Sequence, residues 1–178
     1  AAIEMIDRLA IEAAEAAVHA NYPDTDAVLI VELDGPTSEV EAQLAQVEEL
    51  CRALDCVEFR LAKNDEERAL MWKGRKAAFA AVGRISPNYI VQDGVIPRTK
   101  LSETLREIAA LASAHGVRVA NVFHAGDGNL HPLVLYDERE TGAEQRAEHV
   151  AGEILRVCVA HGGSITGEHG VGADKKAY

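Results

Sequence analysis

Aromatic side chains are nearly missing from this chain. Phe, Trp and Tyr make up only 4% of its 178 residues, so the core has to be built from Ala, Val, Leu and Ile. No run of about 18 apolar residues occurs, so no segment reads as a membrane-spanning helix. No basic stretch leads into an apolar one at the start, so no secretory leader is read there. Cysteine is scarce. Cys51, Cys56 and Cys158 form an odd set without a C-x-x-C pair, which argues against a disulfide framework or a zinc ribbon and for reduced thiols in a cytoplasmic setting. Positive charge is also short, with 18 Lys and Arg against 29 Asp and Glu and a net charge of −11. Nucleic acid and anionic membrane surfaces need clustered Lys and Arg, so neither fits as a partner. An anionic ligand would need a locally positive site, from a bound cation or from buried Arg or Lys. Neither a Rossmann nor a P-loop fingerprint is present, so the chain shows no means of binding a nucleotide cofactor by itself.

What is there is the make-up of an ordinary globular domain, 48% hydrophobic and 26% charged. Apolar spacing predicts a helix over residues 3–20, with Ile3, Ile6, Leu9, Ala10, Ala13 and Ala17 in phase. A strand follows over 27–33 and stops at Gly35-Pro36. Thr37 or Ser38 can cap a helix carrying Val40, Leu44, Val47 and Leu50, and a second strand reads over 56–61. Asn64 or Asp65 can cap a helix holding Ala69, Leu70, Trp72, Ala77 and Phe79, which ends at Gly83. Later come a strand over 89–95, a helix over 102–115 ended by Gly116, strands over 117–123 and 132–136, and a helix over 143–161. The β-α-β-β-α tail is the ferredoxin-like pattern, an α+β fold whose antiparallel sheet is covered by helices on one face. That reading is preferred to a doubly wound sheet.

Three segments carry chemistry. The first is His124-Ala-Gly-Asp-Gly-Asn-Leu-His131. Asp127-Gly128 signals a primed hairpin turn, because glycine supplies positive φ cheaply. If His124 ends one strand and His131 begins the next, the two imidazoles can face each other and reach one ion. The plain alternative is a pair of ordinary histidines flanking a polar turn. The second segment, residues 162–172, holds five glycines in eleven residues and sets Glu168 beside His169. A carboxylate suits as third ligand to a zinc-like ion held by two histidines and leaves a position open for substrate. His169 is then free as a general base. Alone, this stretch also reads as a flexible surface loop. The third segment is Leu70-Met-Trp-Lys-Gly-Arg-Lys76, where Arg75 could grip a carboxylate through two parallel hydrogen bonds. The alternative there is a solvated basic face. Arg84 and Arg98 make weaker cases, and His19, His115, His149 and His161 suit helix ends or surfaces.

The stretches NVFHAGDGNLHPLVLYD, GGSITGEHGVGADKK, LMWKGRKAAFAAVGRISPNY and VQDGVIPRTKL resemble the C-terminal family of FAD-linked oxidases over essentially the whole chain. WKGRKAAFAAVGRISP and DGVIPR look most like its glycolate oxidase branch, and D-lactate and D-2-hydroxyglutarate dehydrogenases are related. The resemblance implies that residues 1–178 are the substrate or cap domain of a longer flavoenzyme, with an FAD-binding domain before Ala1 and a further helix and tail after Tyr178. It implies a divalent metal, zinc or alternatively manganese, on His124, His131 and Glu168, with His169 as base and Arg75 as the substrate-carboxylate contact. The positions matching two further contacts of the 2-hydroxyglutarate enzymes are Phe79 and Val91, neither able to bind a distal carboxylate. Glycolate or D-lactate, oxidised to the 2-oxoacid with hydride passing to flavin, is therefore the implied substrate. The isolated domain would be inactive. Partners would be the chain's own FAD-binding domain and other oxidase subunits, including an iron–sulfur subunit. The implied location is cytoplasmic, or peripheral at the inner face of the membrane through those subunits. The rivals are a stand-alone divalent-metal hydrolase and a non-catalytic ferredoxin-like binding module.

Overall fold

In the computed structural model, which describes residues 1–178, the first element is a strand. Ala2–Asp7 forms β1, and only then does α1 (Arg8–Val18) begin. The helical phase read over 3–20 thus holds for its later part alone. β1 is paired on both sides, with β2 (Ala27–Glu32) and with β5 (Arg118–Phe123), and this ladder overrides local propensity. Its burial alternates, with Glu4 and Ile6 inside. Asp7 then caps α1, its Oδ1 accepting from the Ala10 amide at 3.0 Å.

α2 (Thr37–Ala53), α3 (Asp65–Val82), β3 (Asn88–Val91), β4 (Gly94–Val95), a 3-10 turn (Arg98–Lys100) and α4 (Leu101–Ala114) precede β5. β6 (Asn129–Leu130), β7 (Pro132–Tyr136) and α5 (Ala143–Ala160) follow it. The main sheet runs β2-β1-β5-β7-β3 with every neighbour antiparallel, and β4 and β6 form a separate two-stranded ribbon. The fold is α+β, as read from the sequence, but helices cover both faces of the sheet. α1 and α3 pack over Val122, Leu133 and Leu135, while α4 and α5 pack over Phe123 and Val134. Successive residues of a strand point to opposite faces, so the near-continuous apolar runs of β5 and β7 already require two covers.

Three further expectations change. Residues 56–61 form no strand, since no ladder partner lies beside them and Cys56 and Val57 are exposed. α2 starts after Pro36 without a side-chain cap and buries none of its residues. The strand read over 89–95 is broken at Gln92-Asp93: β3 pairs with β7 and β4 with β6. Elsewhere the signals hold, including Asn64, whose side chain caps α3 by accepting from the Glu67 amide at 2.9 Å. No helix is long and apolar enough to cross a membrane.

Candidate functional site

The sheet face beneath α1 and α3 is apolar along most of its length and turns polar just past the end of β5. His124 stands there and bridges Asn129. His131 lies two residues beyond Asn129, so the histidines are diagonal neighbours rather than direct opposites. Diagonal positions on one sheet face stay within reach of long side chains, and the rings sit 5.1 Å apart at 82°. The connection is a four-residue turn over 125–128 in which only Gly128 has positive φ, at +71°. It is therefore not the two-residue primed turn expected from Asp127-Gly128. Glycine is still required at 128, because a Cβ there would lie 2.2 Å from the Ile96 carbonyl oxygen.

Glu168 enters from the glycine-rich loop. Its Oε1 lies 3.2 Å from His124 Nε2 and 3.8 Å from His131 Nε2, and it accepts from Asn129 Nδ2 at 2.6 Å. The three donor atoms of His124, His131 and Glu168 all fall within 4.8 Å of one another. His131 Nε2 is buried and has no hydrogen-bond partner. Burial first, then the neighbouring His124, pushes the His131 pKa below its usual value, so the ring stays neutral with a lone pair available. His169 lays its ring parallel to that of His131, 5.1 Å away at 16°. The sequence-predicted quartet of His124, His131, Glu168 and His169 is thus brought together.

Arg75 reaches the same place from α3, but its partner is a carboxylate of the chain itself. Nε and Nη2 both donate to Glu4 Oε2, at 3.1 and 2.8 Å, in a buried pair. Extending the β1–β5 register (Met5↔Phe123, Ile6↔Val122) sets Glu4 opposite His124, and Glu4 Oε1 lies 2.8 Å from His124 Nδ1. That contact turns the other ring nitrogen, Nε2, toward Glu168, as a second-layer carboxylate does for a ligating histidine. The expectation of Arg75 as a free carboxylate grip is corrected to this extent. Glu4 was missed because residues 3–20 read as one helix, which hides its strand pairing. Phe79 closes this side, its ring 6.0 Å from His131 and 5.7 Å from the Arg75 guanidinium.

Asp93 was also missed. It is completely buried, and its Oδ2 accepts from the Thr166 hydroxyl and from the amides of Gly167, Glu168 and His169, all at 2.8–2.9 Å. Burial would raise its pKa, but the amides of His169 and Glu168, the Thr166 hydroxyl and the Gly167 amide together hold it far below the usual carboxylate range. The available signal was a charged residue followed by glycine inside an apolar strand-like run. The remaining candidates take no part. Arg84 bonds the Ala16 carbonyl, and Arg98 the Gly126 carbonyl. His19, His115 and His161 cap helices. The three cysteines are free, and burial raises the Cys158 thiol to about 11.

A sheet of this topology, with helices on both faces and two histidines and a carboxylate gathered at one strand end, defines a domain of α+β class. Comparison with known proteins gives the family. The family model described as FAD linked oxidases, C-terminal domain, matches residues 1–178, and the chain belongs to that family. It is 51% identical over 174 residues to glycolate oxidase subunit GlcD of Escherichia coli K12, a match covering 97% of this chain and 35% of that protein. It is 36% identical to GlcD of Bacillus subtilis, over 85% of this chain and 32% of the relative. With a probable mitochondrial D-lactate dehydrogenase of Danio rerio it shares 30% identity, over 99% of this chain and 36% of the relative. The chain spans about a third of the length of these relatives. Among solved structures, 4-ethylphenol oxidase from Gulosibacter chungangensis is similar in fold, with a TM-score of 0.59 at 12% identity, covering 92% of this chain and 38% of that one.

Proposed function

We propose that this domain binds and orients the substrate of an FAD-dependent 2-hydroxyacid oxidoreductase, with glycolate or D-lactate as the acid oxidised. Family membership and the likeness to glycolate oxidase subunits and a D-lactate dehydrogenase support the reaction class. The observation that carries the site is the buried, unpartnered Nε2 of His131, converging with His124 Nε2 and Glu168 Oε1. A buried polar atom without a partner costs about 1–3 kcal/mol, and a divalent cation on these three donors would remove that cost. Two nitrogens and a carboxylate oxygen suit zinc, with manganese second. When bound there, the cation supplies Lewis acidity that lowers the pKa of a coordinated hydroxyl. FAD, held mainly by another domain, would supply the hydride acceptor.

The chain's own residues do the rest. His169, exposed beside His131, takes the hydroxyl proton. Arg75 lies beside the site with its charge paired to Glu4. With Nε and Nη2 engaged by Glu4, its Nη1 edge is the part left for a substrate carboxylate. Phe79, 6.0 Å from His131, offers an apolar ring and no partner for a distal carboxylate, which favours a small substrate. The protein would act in the cytoplasm, or at the inner face of the membrane through partner subunits. The test uses the enzyme in which this domain is joined to its FAD-binding domain. His124→Ala and His131→Ala should each remove bound metal and 2-hydroxyacid turnover together. Normal turnover by metal-free enzyme would overturn the assignment.

A further inference from the structure

No charged side chain other than Asp93 is fully buried, and the proposed chemistry makes no use of it. It sits at the break between β3 and β4, where the chain changes pairing partner. Three consecutive amides, those of Gly167, Glu168 and His169, converge with the Thr166 hydroxyl on one of its oxygens. Successive amides turned inward form a nest that binds anions, and here the anion belongs to the protein. Gly167 makes the close approach possible, since a Cβ would lie 2.7 Å from the Asn129 side chain. Buried Lys175 ties the same parts together, donating to the Ile165 carbonyl at 2.9 Å and the Asp93 carbonyl at 3.3 Å. The other oxygen, Oδ1, is buried and unpartnered, 3.5 Å from the equally unpartnered His131 Nε2.

We propose that Asp93 is the positioning residue of this site: it gathers the Thr166 hydroxyl and the amides of residues 167–169 onto one oxygen and so sets Glu168 and His169 against His124 and His131. Residues 162–172 contain five glycines and no helix or strand. Fixing each free residue costs backbone entropy. Without the nest, ligand binding would have to order this loop; with it, folding has already done so. Its second oxygen faces the point where the donors converge and adds negative charge there, which favours a cation. Only this part of the argument rests on the cation reading.

The test compares the full chain with its Asp93→Ala and Asp93→Asn forms, by amide hydrogen exchange without metal and by calorimetric titration with zinc chloride. Wild type should show protected amides at 167–169. Asp93→Ala should lose that protection while the β5 and β7 amides keep theirs, and its zinc affinity should fall on the order of 10–100-fold, as for loss of an outer-layer partner. Asp93→Asn retains an acceptor oxygen for the nest but offers an amide group to His131, so it should recover part of the protection without recovering zinc affinity. This split would not arise from a merely structural role. If Asp93→Ala fails to fold, Asp93→Asn decides alone, and wild-type values on both measurements would overturn the proposal. Unchanged zinc affinity in an Asp93→Ala chain that has lost 167–169 protection would overturn it too. If wild type takes up no zinc, the cation reading fails, while the exchange data still decide whether Asp93 holds the loop.

Discussion

Two groups of histidine and carboxylate donors lie on this chain, and they differ in a way that distance alone does not reveal. His124, His131 and Glu168 gather at the end of β5, while Glu103, Glu107 and His161 gather where α4 meets the end of α5. Each trio has its ligand atoms within 4.8 Å of one another. In the second, both nitrogens of His161 are engaged, Nδ1 with the Thr104 hydroxyl at 2.6 Å and Nε2 with Glu107 at 3.1 Å. In the first, His131 Nε2 has no partner, and the ring of His124 is turned by a buried carboxylate. The proposed metal site thus differs from the other group in a lone pair that the protein leaves unsatisfied. Closeness of donors is common on acidic surfaces.

The largest expected effect comes from the aiming residues. Glu4→Ala strands Arg75 as a buried, unpaired cation and should destabilise the fold by about 3–5 kcal/mol. Glu107→Ala removes a half-exposed contact and should cost under about 1 kcal/mol. Urea unfolding of the two variants measures both, and equal losses would erase the distinction. Next in size is ligation itself. His131→Ala should weaken zinc binding on the order of 100-fold or more, beyond the range for outer-layer changes, whereas His161→Ala should leave the isotherm unchanged.

Acid should report on the first group through stability. The folded pKa of His131 is lowered, mainly by burial, so the unfolded chain binds a proton first. Its contribution is fully present above the unfolded value of about 6.5 and is lost as pH falls toward the folded value, at up to about 1.4 kcal/mol per pH unit. Asp93, also lowered, keeps its contribution until pH drops below about 3.9 and then loses it progressively. Urea midpoints of metal-free protein between pH 4 and 7 should fall with acid. His131→Gln should flatten that slope.

The comparison also bears on what a sequence can reveal. His124, His131, Glu168 and His169 were legible because two compact motifs name them, and no ordinary turn needs a histidine at each end. Their supports were not. Glu4 becomes part of the site only through its register against His124, a pairing across 120 residues of chain that no local pattern encodes. Asp93 looked like a polar interruption in a strand, and its meaning depends on three amides more than 70 residues away. The fold follows the same rule. Caps such as Asn64 act locally and are readable, while β1 reads as helix because its ladder partners are distant. The run at 56–61 had strand composition but nothing beside it to complete a sheet.

The smallest effect sharpens the contrast most directly. Thr104 is fully buried, and its hydroxyl engages His161 Nδ1. Thr104→Val keeps the shape, removes that one bond and should cost about 1 kcal/mol. It also gives the second group what the first already has, an imidazole nitrogen without a partner. Glu103 and Glu107 remain half-exposed surface side chains, and no buried carboxylate turns His161 toward them. One zinc equivalent should therefore still bind, at the first group only, with wild-type affinity. A second equivalent of comparable affinity would mean that a freed lone pair is sufficient, and that the aiming by Glu4 and Asp93 adds little to the choice of site.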